Sequence, residues 1–226
     1  MTKLYLIRHA QAQGNLENRF QGLTDRDLTP LGHQQIGRLA ERFRDVPLNA
    51  VYTSPLKRTQ GTAAGVVRYN GLTPAVEPGI IEINGGIFED MLIDDLCTKE
   101  PYMSFFRLYR ENPGEFQGAD GGESFYQVHD RMAQAVDAIA AAHPNQEVAV
   151  VSHGCAIRCY LTYAAGLEVP DYLQIPPLDN TAVSCVIYQD DGTISVEYMN
   201  DSSHLPEEEK SLASSVLRPF REVSCK

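Results

Sequence analysis

Three short apolar runs, each closed by a cation or an imidazole, constrain this chain more than any other feature of its sequence. Leu4 to Ile7 stops at Arg8-His9, Ala50 to Ser54 leads through Pro55 to Arg58, and Glu147 to Ser152 stops at His153-Gly154. Such brief runs are too short for helices and suit buried, largely parallel strands. Each passes into a loop or helix start, where backbone N–H groups lacking helical partners favour an anion. The strand ends of open α/β sheets form the rim at which ligands bind, so these side chains are candidates for chemistry. Taken singly, Arg8-His9 serves equally well as an ordinary rim pair; the threefold repetition points to one site.

Charge sorting argues the same way. The chain has 30 acidic and 19 basic residues, yet no Asp or Glu occurs in 1–16, 46–76 or 148–167. A partly buried arginine without a carboxylate is costly, so Arg8 and Arg58 imply that the missing anion is a ligand. Phosphate fits, because the guanidinium fork matches its oxygens.

Along the chain, strands and helices alternate, which predicts an α/β fold: a three-layer α/β/α sandwich with a mostly parallel mixed sheet and a helical cap insertion. Asn15, in the loop after the first strand, suits either a phosphate contact or a turn. Gln21-Gly22 could turn backbone N–H toward a ligand. Asp25-Arg26-Asp27-Leu28-Thr29 spells the pattern of magnesium-dependent aspartyl phosphatases but follows no buried strand, which excludes it. Thr29-Pro30 caps a helix, and Ser54-Pro55 is expected to cap another running to about Tyr69. Ala75 to Glu77 and Ile80 to Ile83 read as short strands, with Glu82 alone among apolar neighbours. Such surroundings raise a carboxyl pKa, as a general acid requires. A solvent-facing strand glutamate fits the same string, and Glu89 and Asp90 are rivals for the acid role.

Residues 87–120 interrupt the rhythm and hold six of the chain's nineteen Phe and Tyr residues. An insertion there reads as a cap that determines specificity and partly excludes water. Ser124 and Gln127 spell a capping box, followed by Phe125, Val128, Met132, Val136 and Ile139 at helical spacing. Asp190-Asp191-Gly192 marks a closing hairpin. His204-Leu205-Pro206 and the charged tail read as a loosely packed terminal segment.

Several separated motifs occur in order: Arg8-His9 with Asn15, then Arg19-x-Gln21-Gly22-x-x-Asp25-x-x-Leu28-Thr29-x-x-Gly32-x-x-Gln35, and Ser54-Pro55-x-x-Arg58-x-x-x-Thr62-Ala63. Glu82 to Gly86, Gly122-Glu123-Ser124 and Ser152-His153-Gly154 follow. Together they resemble the histidine phosphatase superfamily, also called phosphoglycerate mutase-like. The resemblance runs from about residue 4 to 200. It implies that His9 is the nucleophile that becomes phosphorylated and that Glu82 is the proton donor. Arg8, Arg58 and His153 would hold the phosphoryl group, with Asn15, Gln21 and Gly22 as further phosphate contacts. No metal or cofactor is implied. Ala10 stands where the family commonly has glycine, Ala12 where threonine is common and Asp90 where glycine is common. The string after Glu82 lacks the basic, histidine and tyrosine residues of the family's mutases, which favours hydrolysis over transfer between two hydroxyls.

A hydrophobic content of 43% in 226 residues suits one domain spanning 1–226 with the cap at about 87–120. The net charge of −11 disfavours nucleic acid and anionic membranes, leaving a small phosphorylated metabolite as the expected partner. Five cysteines without C-x-x-C spacing suggest reduced thiols and a cytoplasmic location. The expected function is a metal-independent phosphomonoester phosphatase acting through phosphohistidine. Two alternatives stand beside it: a cofactor-dependent phosphoglycerate mutase, and a catalytically weak phospho-ligand-binding protein. The oligomeric state has no signature in the sequence.

Overall fold

The computed structural model describes residues 1–210. In chain order its main elements are β1 (Thr2–Arg8), α1 (Gln13–Leu16), α2 (Pro30–Phe43), β2 (Ala50–Thr53), α3 (Lys57–Val66) and β3 (Ala75–Val76). Then follow α4 (Ile93–Thr98), α5 (Tyr102–Glu111), α6 (Phe125–Ala142), β4 (Glu147–Ser152), α7 (Gly154–Ala164), β5 (Val183–Tyr188) and β6 (Ile194–Asp201). The described strands form one sheet in the order β3-β2-β4-β1-β5-β6. Neighbours from β3 to β1 are parallel, and the β5–β6 hairpin joins β1 antiparallel. No helix among the described residues is long and apolar enough to cross a membrane.

The central strands read as unbroken apolar runs because both faces are covered. Leu4, Leu6, Val148 and Val150 point into a core shared with α6 and α7. Their alternates Tyr5, Ile7, Ala149 and Val151 point into a second core with α2 and α3. Helix α6 buries Phe125, Val128, Met132, Val136 and Ile139 on its sheet-facing stripe. Its start is the expected capping box: Gln127 N–H donates to Ser124 Oγ at 3.3 Å and Ser124 N–H to Gln127 Oε1 at 2.8 Å.

Register brings the three motifs level. Arg8 pairs with Ser152 and Thr53 with Val151, and His9 N–H donates to the Ser152 carbonyl at 3.0 Å. The C-terminal ends of β1, β2 and β4 therefore open on one point of the rim.

Three local expectations are corrected. Ser54 caps no helix; α3 begins at Lys57 behind Leu56, and the Ser54 hydroxyl is used elsewhere. Ile80 to Ile83 is not a strand: Pro78, with no N–H to donate, opens a single 3₁₀ turn, and the sheet ends at the two exposed residues of β3. The segment to Lys210 is anchored, since Leu205 is buried and Arg38 donates to the Glu209 carboxylate at 2.8 Å. Residues 211–226, including Cys225, lie outside the described structure.

Two substitutions in α6 separate packing from capping. Met132→Ala is expected to lower unfolding free energy by about 3 kcal/mol, and Ser124→Ala by about 1 kcal/mol. Urea denaturation measures both.

Candidate active site

His9 follows directly on β1 and is 3% exposed. Its Nδ1 lies 2.7 Å from the Ala10 carbonyl, which can only accept, so Nδ1 carries the proton and Nε2 keeps its lone pair. Burial, reinforced by the positive charges of Arg58 and Arg8, holds the imidazole well below its ordinary pKa. The result is a neutral ring with one unprotonated nitrogen. Its loop is tied on every side: Ala10 N–H donates to Thr62 Oγ1 at 2.9 Å, Gln11 N–H to Gln35 Oε1 at 2.9 Å, and Asn180 Nδ2 to the His9 carbonyl at 2.9 Å.

Arg8, His9, Asn15, Gln21 and Glu82 line one end of a cavity of about 410 Å³. Arg8 donates one terminal nitrogen to the Leu178 carbonyl. Its Nε and both amide atoms of Gln21 are buried without a hydrogen-bond partner, and the Arg8 Nε–H and Gln21 Nε2–H groups are donors that suit a bound oxyanion. Asn15 turns its carbonyl onto Ala12 N–H at 3.0 Å, which frees its amide N–H groups. A Cβ at Gly154 would sit 3.3 Å from Arg8 Nε, so a side chain there would press on the guanidinium.

Arg58 and His153 are brought beside this end but are fully buried behind it. Arg58 donates from Nε to His153 Nδ1 at 3.2 Å and from its terminal nitrogens to the Thr24 and Gly22 carbonyls at 2.7 Å each. Burial lowers its pKa to about 10, so it stays charged near neutrality. His153 must then hold its proton on Nε2, which lies 2.7 Å from Ser54 Oγ. Burial and the Arg58 charge hold this imidazole too well below its ordinary pKa. The two histidine rings are 5.3 Å apart. Gly22 does not line the cavity. It threads a space where a Cβ would come within 2.2 Å of the Ile83 carbonyl, and its own carbonyl serves Arg58.

Glu82 approaches the N-terminus of α7. Its Oε1 accepts from Ala156 N–H at 2.9 Å and from Ile83 N–H at 2.9 Å, and its Oε2 from Cys155 N–H at 3.1 Å. Burial raises its pKa and outweighs these donors, which favour the charged form. Glu89, the rival acid, is instead consumed by structure: it accepts from Leu23 N–H at 2.8 Å, Thr24 N–H at 3.0 Å, Thr24 Oγ1 at 2.5 Å and Gly85 N–H at 2.9 Å. Asp90 pairs with Arg26 at 2.7 Å.

The family model of the histidine phosphatase superfamily (branch 1) matches residues 4–202. The chain belongs to that superfamily. It is 34% identical to phosphoserine phosphatase 1 of Hydrogenobacter thermophilus over 209 residues, 92% of this chain and 96% of that protein. A Yersinia pestis protein named probable phosphoglycerate mutase GpmB is 31% identical over 209 residues, covering 91% and 95%. The structure of Bacillus stearothermophilus YhfR superposes with a TM-score of 0.85 at 29% identity, covering 90% of this chain and 99% of that one.

Two of the three superfamily departures, Asp90 and Ala10, have local explanations. Asp90 has φ +64°, a backbone conformation glycine adopts without strain, and the Arg26 pair holds the aspartate in it. Ala10 is fully buried and lies outside the left-handed region, so its methyl group is accommodated.

Two supporting residues, Arg131 and Asn180, escaped the sequence reading, and so did the role of a third, Glu123, which stands there only within the Gly122-Glu123-Ser124 motif. Arg131 donates to the carbonyls of Gly79, Ile81 and Glu82 at 3.0, 2.7 and 2.9 Å, clamping the turn that carries Glu82. Glu123 holds Arg131 at 2.8 Å, and Asn180 backs His9. None announces itself locally, because each acts on a backbone distant in sequence.

The loop that holds Arg58 depends on Glu89. Glu89→Ala is expected to weaken inorganic phosphate binding about tenfold or more by releasing residues 22–24, measured by isothermal titration. Unchanged affinity would show that the loop keeps its shape without the carboxylate.

Proposed function

We propose that this protein hydrolyses phosphomonoesters of small molecules through a phosphohistidine on His9, without a metal ion. The observation that carries this reading is the neutral, Nδ1-protonated His9 with Nε2 unprotonated beside the Arg8 guanidinium. In the first step Nε2 attacks phosphorus in line, the bond to the ester oxygen breaks, and Glu82 gives its proton to the departing alcohol. In the second step Glu82, now a carboxylate, takes a proton from water as the water oxygen bonds to phosphorus in line; the P–N bond breaks, releasing inorganic phosphate and free His9. Phosphoryl transfer needs placement and charge compensation more than covalent help, and Arg8, Asn15 and Gln21 supply these in front of the ring. Arg58 and His153 act from behind it, Arg58 through its charge. A direct contact from His153 would require it to exchange its Ser54 hydrogen bond.

We read the chain as one domain whose residues 87–120 form the cap of this site, and the free thiols of Cys97, Cys155, Cys159 and Cys185 support a reducing, cytoplasmic setting. The Yersinia relative's name favours a second reading, a phosphoglycerate mutase. The apolar and glycine residues following Glu82 favour hydrolysis. Conversion of 3-phosphoglycerate with a bisphosphoglycerate primer, faster than its hydrolysis, would reverse that preference.

His9→Ala is expected to abolish turnover and the acid-labile phosphate trapped from a phosphomonoester; wild-type rates in this variant would refute the nucleophile. Excess chelator should leave wild-type rates unchanged.

The pH dependence follows from the two shifts. Activity needs neutral His9, whose pKa is lowered, and protonated Glu82, whose pKa is raised, so kcat/KM is expected to be bell-shaped, falling on the acid side as His9 takes a proton and on the alkaline side as Glu82 loses one. With an alkyl ester, Glu82→Gln should lose about 100-fold or more and the alkaline limb with it. With p-nitrophenyl phosphate, whose leaving group needs no proton, the same variant should accumulate phosphoenzyme. Glu89→Gln should retain the alkaline limb.

A further inference from the structure

The cavity has an apolar as well as a polar share of its lining. Its 410 Å³ lies within the roughly 300–1,000 Å³ of sites that enclose whole small molecules, far beyond a phosphoryl group. Besides the polar groups around His9, the cavity wall includes Phe20, Ile83, Ile93, Phe106, Tyr109 and Leu173, with the arginines Arg19, Arg110 and Arg158 among them. The rings brace one another: Phe106 and Tyr109 stack at 5.5 Å with planes 8° apart, and Phe20 meets them edge-on at 6.4 and 5.5 Å.

The polar atoms of this wall are already engaged. Tyr172 Oη accepts from Arg158 at 3.0 Å. Arg158 further donates to the Ile175 carbonyl at 2.6 Å and lies 4.0 Å over the Tyr172 ring. Arg19 donates to Glu17 at 2.9 Å and to the Asp90 carbonyl at 2.6 Å. Arg110, also on the wall, has an interaction of its own. What remains for a ligand is chiefly carbon.

We propose that this wall selects the alcohol half of the substrate, and that the preferred substrates are phosphomonoesters of uncharged, apolar, ring-bearing alcohols. The inference rests on the phosphatase reading and narrows it. A hydroxy acid, an amino acid or a sugar would exchange water for carbon with few new partners, whereas a ring gains both burial and edge or face contacts. Leu173 is half exposed at the mouth, so it can be changed without disturbing the core.

The test uses esters of alcohols of similar basicity, so that leaving-group chemistry does not mask binding: ethyl, n-butyl and 2-phenylethyl phosphate, beside O-phosphoserine and 3-phosphoglycerate. From ethyl to 2-phenylethyl phosphate, kcat/KM is expected to rise at least about tenfold, mainly through KM. Both acids should fall below 2-phenylethyl phosphate, and Leu173→Asp should lower the 2-phenylethyl to ethyl ratio. Calorimetry with 2-phenylethylphosphonate and ethylphosphonate reads the same preference without turnover. Preference for either acid over 2-phenylethyl phosphate, or equal affinity for the two phosphonates, overturns the inference. Hydrolysis of all esters through His9 at equal efficiency overturns it while leaving the phosphatase reading intact. If no ester is hydrolysed, the phosphatase reading falls, and the phosphonates still decide whether the wall prefers a ring.

Discussion

The hydrogen bond from His9 Nδ1 to the Ala10 carbonyl is the contact on which the site depends. It fixes one tautomer in a ring that burial and two arginines already keep neutral. A protonated imidazole could not attack phosphorus, and the opposite tautomer would present N–H instead of a lone pair. The surrounding ties to Thr62, Gln35 and Asn180 hold the carbonyl in place. They come from α3, α2 and the segment before β5, so both helical and sheet packing converge on a single backbone oxygen.

Behind this ring the protein keeps a positive charge buried without neutralising it. A carboxylate on Arg58 would stabilise the guanidinium but cancel its field at His9. Two carbonyls and an imidazole nitrogen satisfy its donors while leaving the charge in place. The carbonyls belong to a loop held by Glu89, which places the acid at the loop's outer side, away from the cavity. Glu82 is arranged differently: its carboxyl group faces the cavity, at the positive end of α7. Two glutamates seven residues apart in sequence thus have separate roles because of what surrounds each.

Much of this was legible from residues alone. Buried parallel strands leave continuous apolar runs, so β1, β2 and β4 and the residues at their ends could be located. The absence of acids around them marked Arg8 and Arg58 as partners of something other than a carboxylate. The rest was hidden because it depends on contacts distant along the chain. Ser54 spells a helix cap, but its hydroxyl is drawn to His153 once β2 and β4 align. Gly22 suggested an N–H turned to a ligand, and its carbonyl faces Arg58 instead. Arg131 and Asn180 act on backbone that only the folded chain brings near. Asp90 could be seen as a departure from the family, but its positive φ and its arginine partner could not be read from the string.

Nitrogen NMR of the His9 ring tests the account most directly. The prediction is an Nδ1-protonated, neutral imidazole whose ¹⁵N shifts stay constant through the pH range in which an ordinary histidine titrates, because its pKa is lowered. An Nε2-protonated ring, or a titration centred near the ordinary histidine value of 6.5, would contradict it.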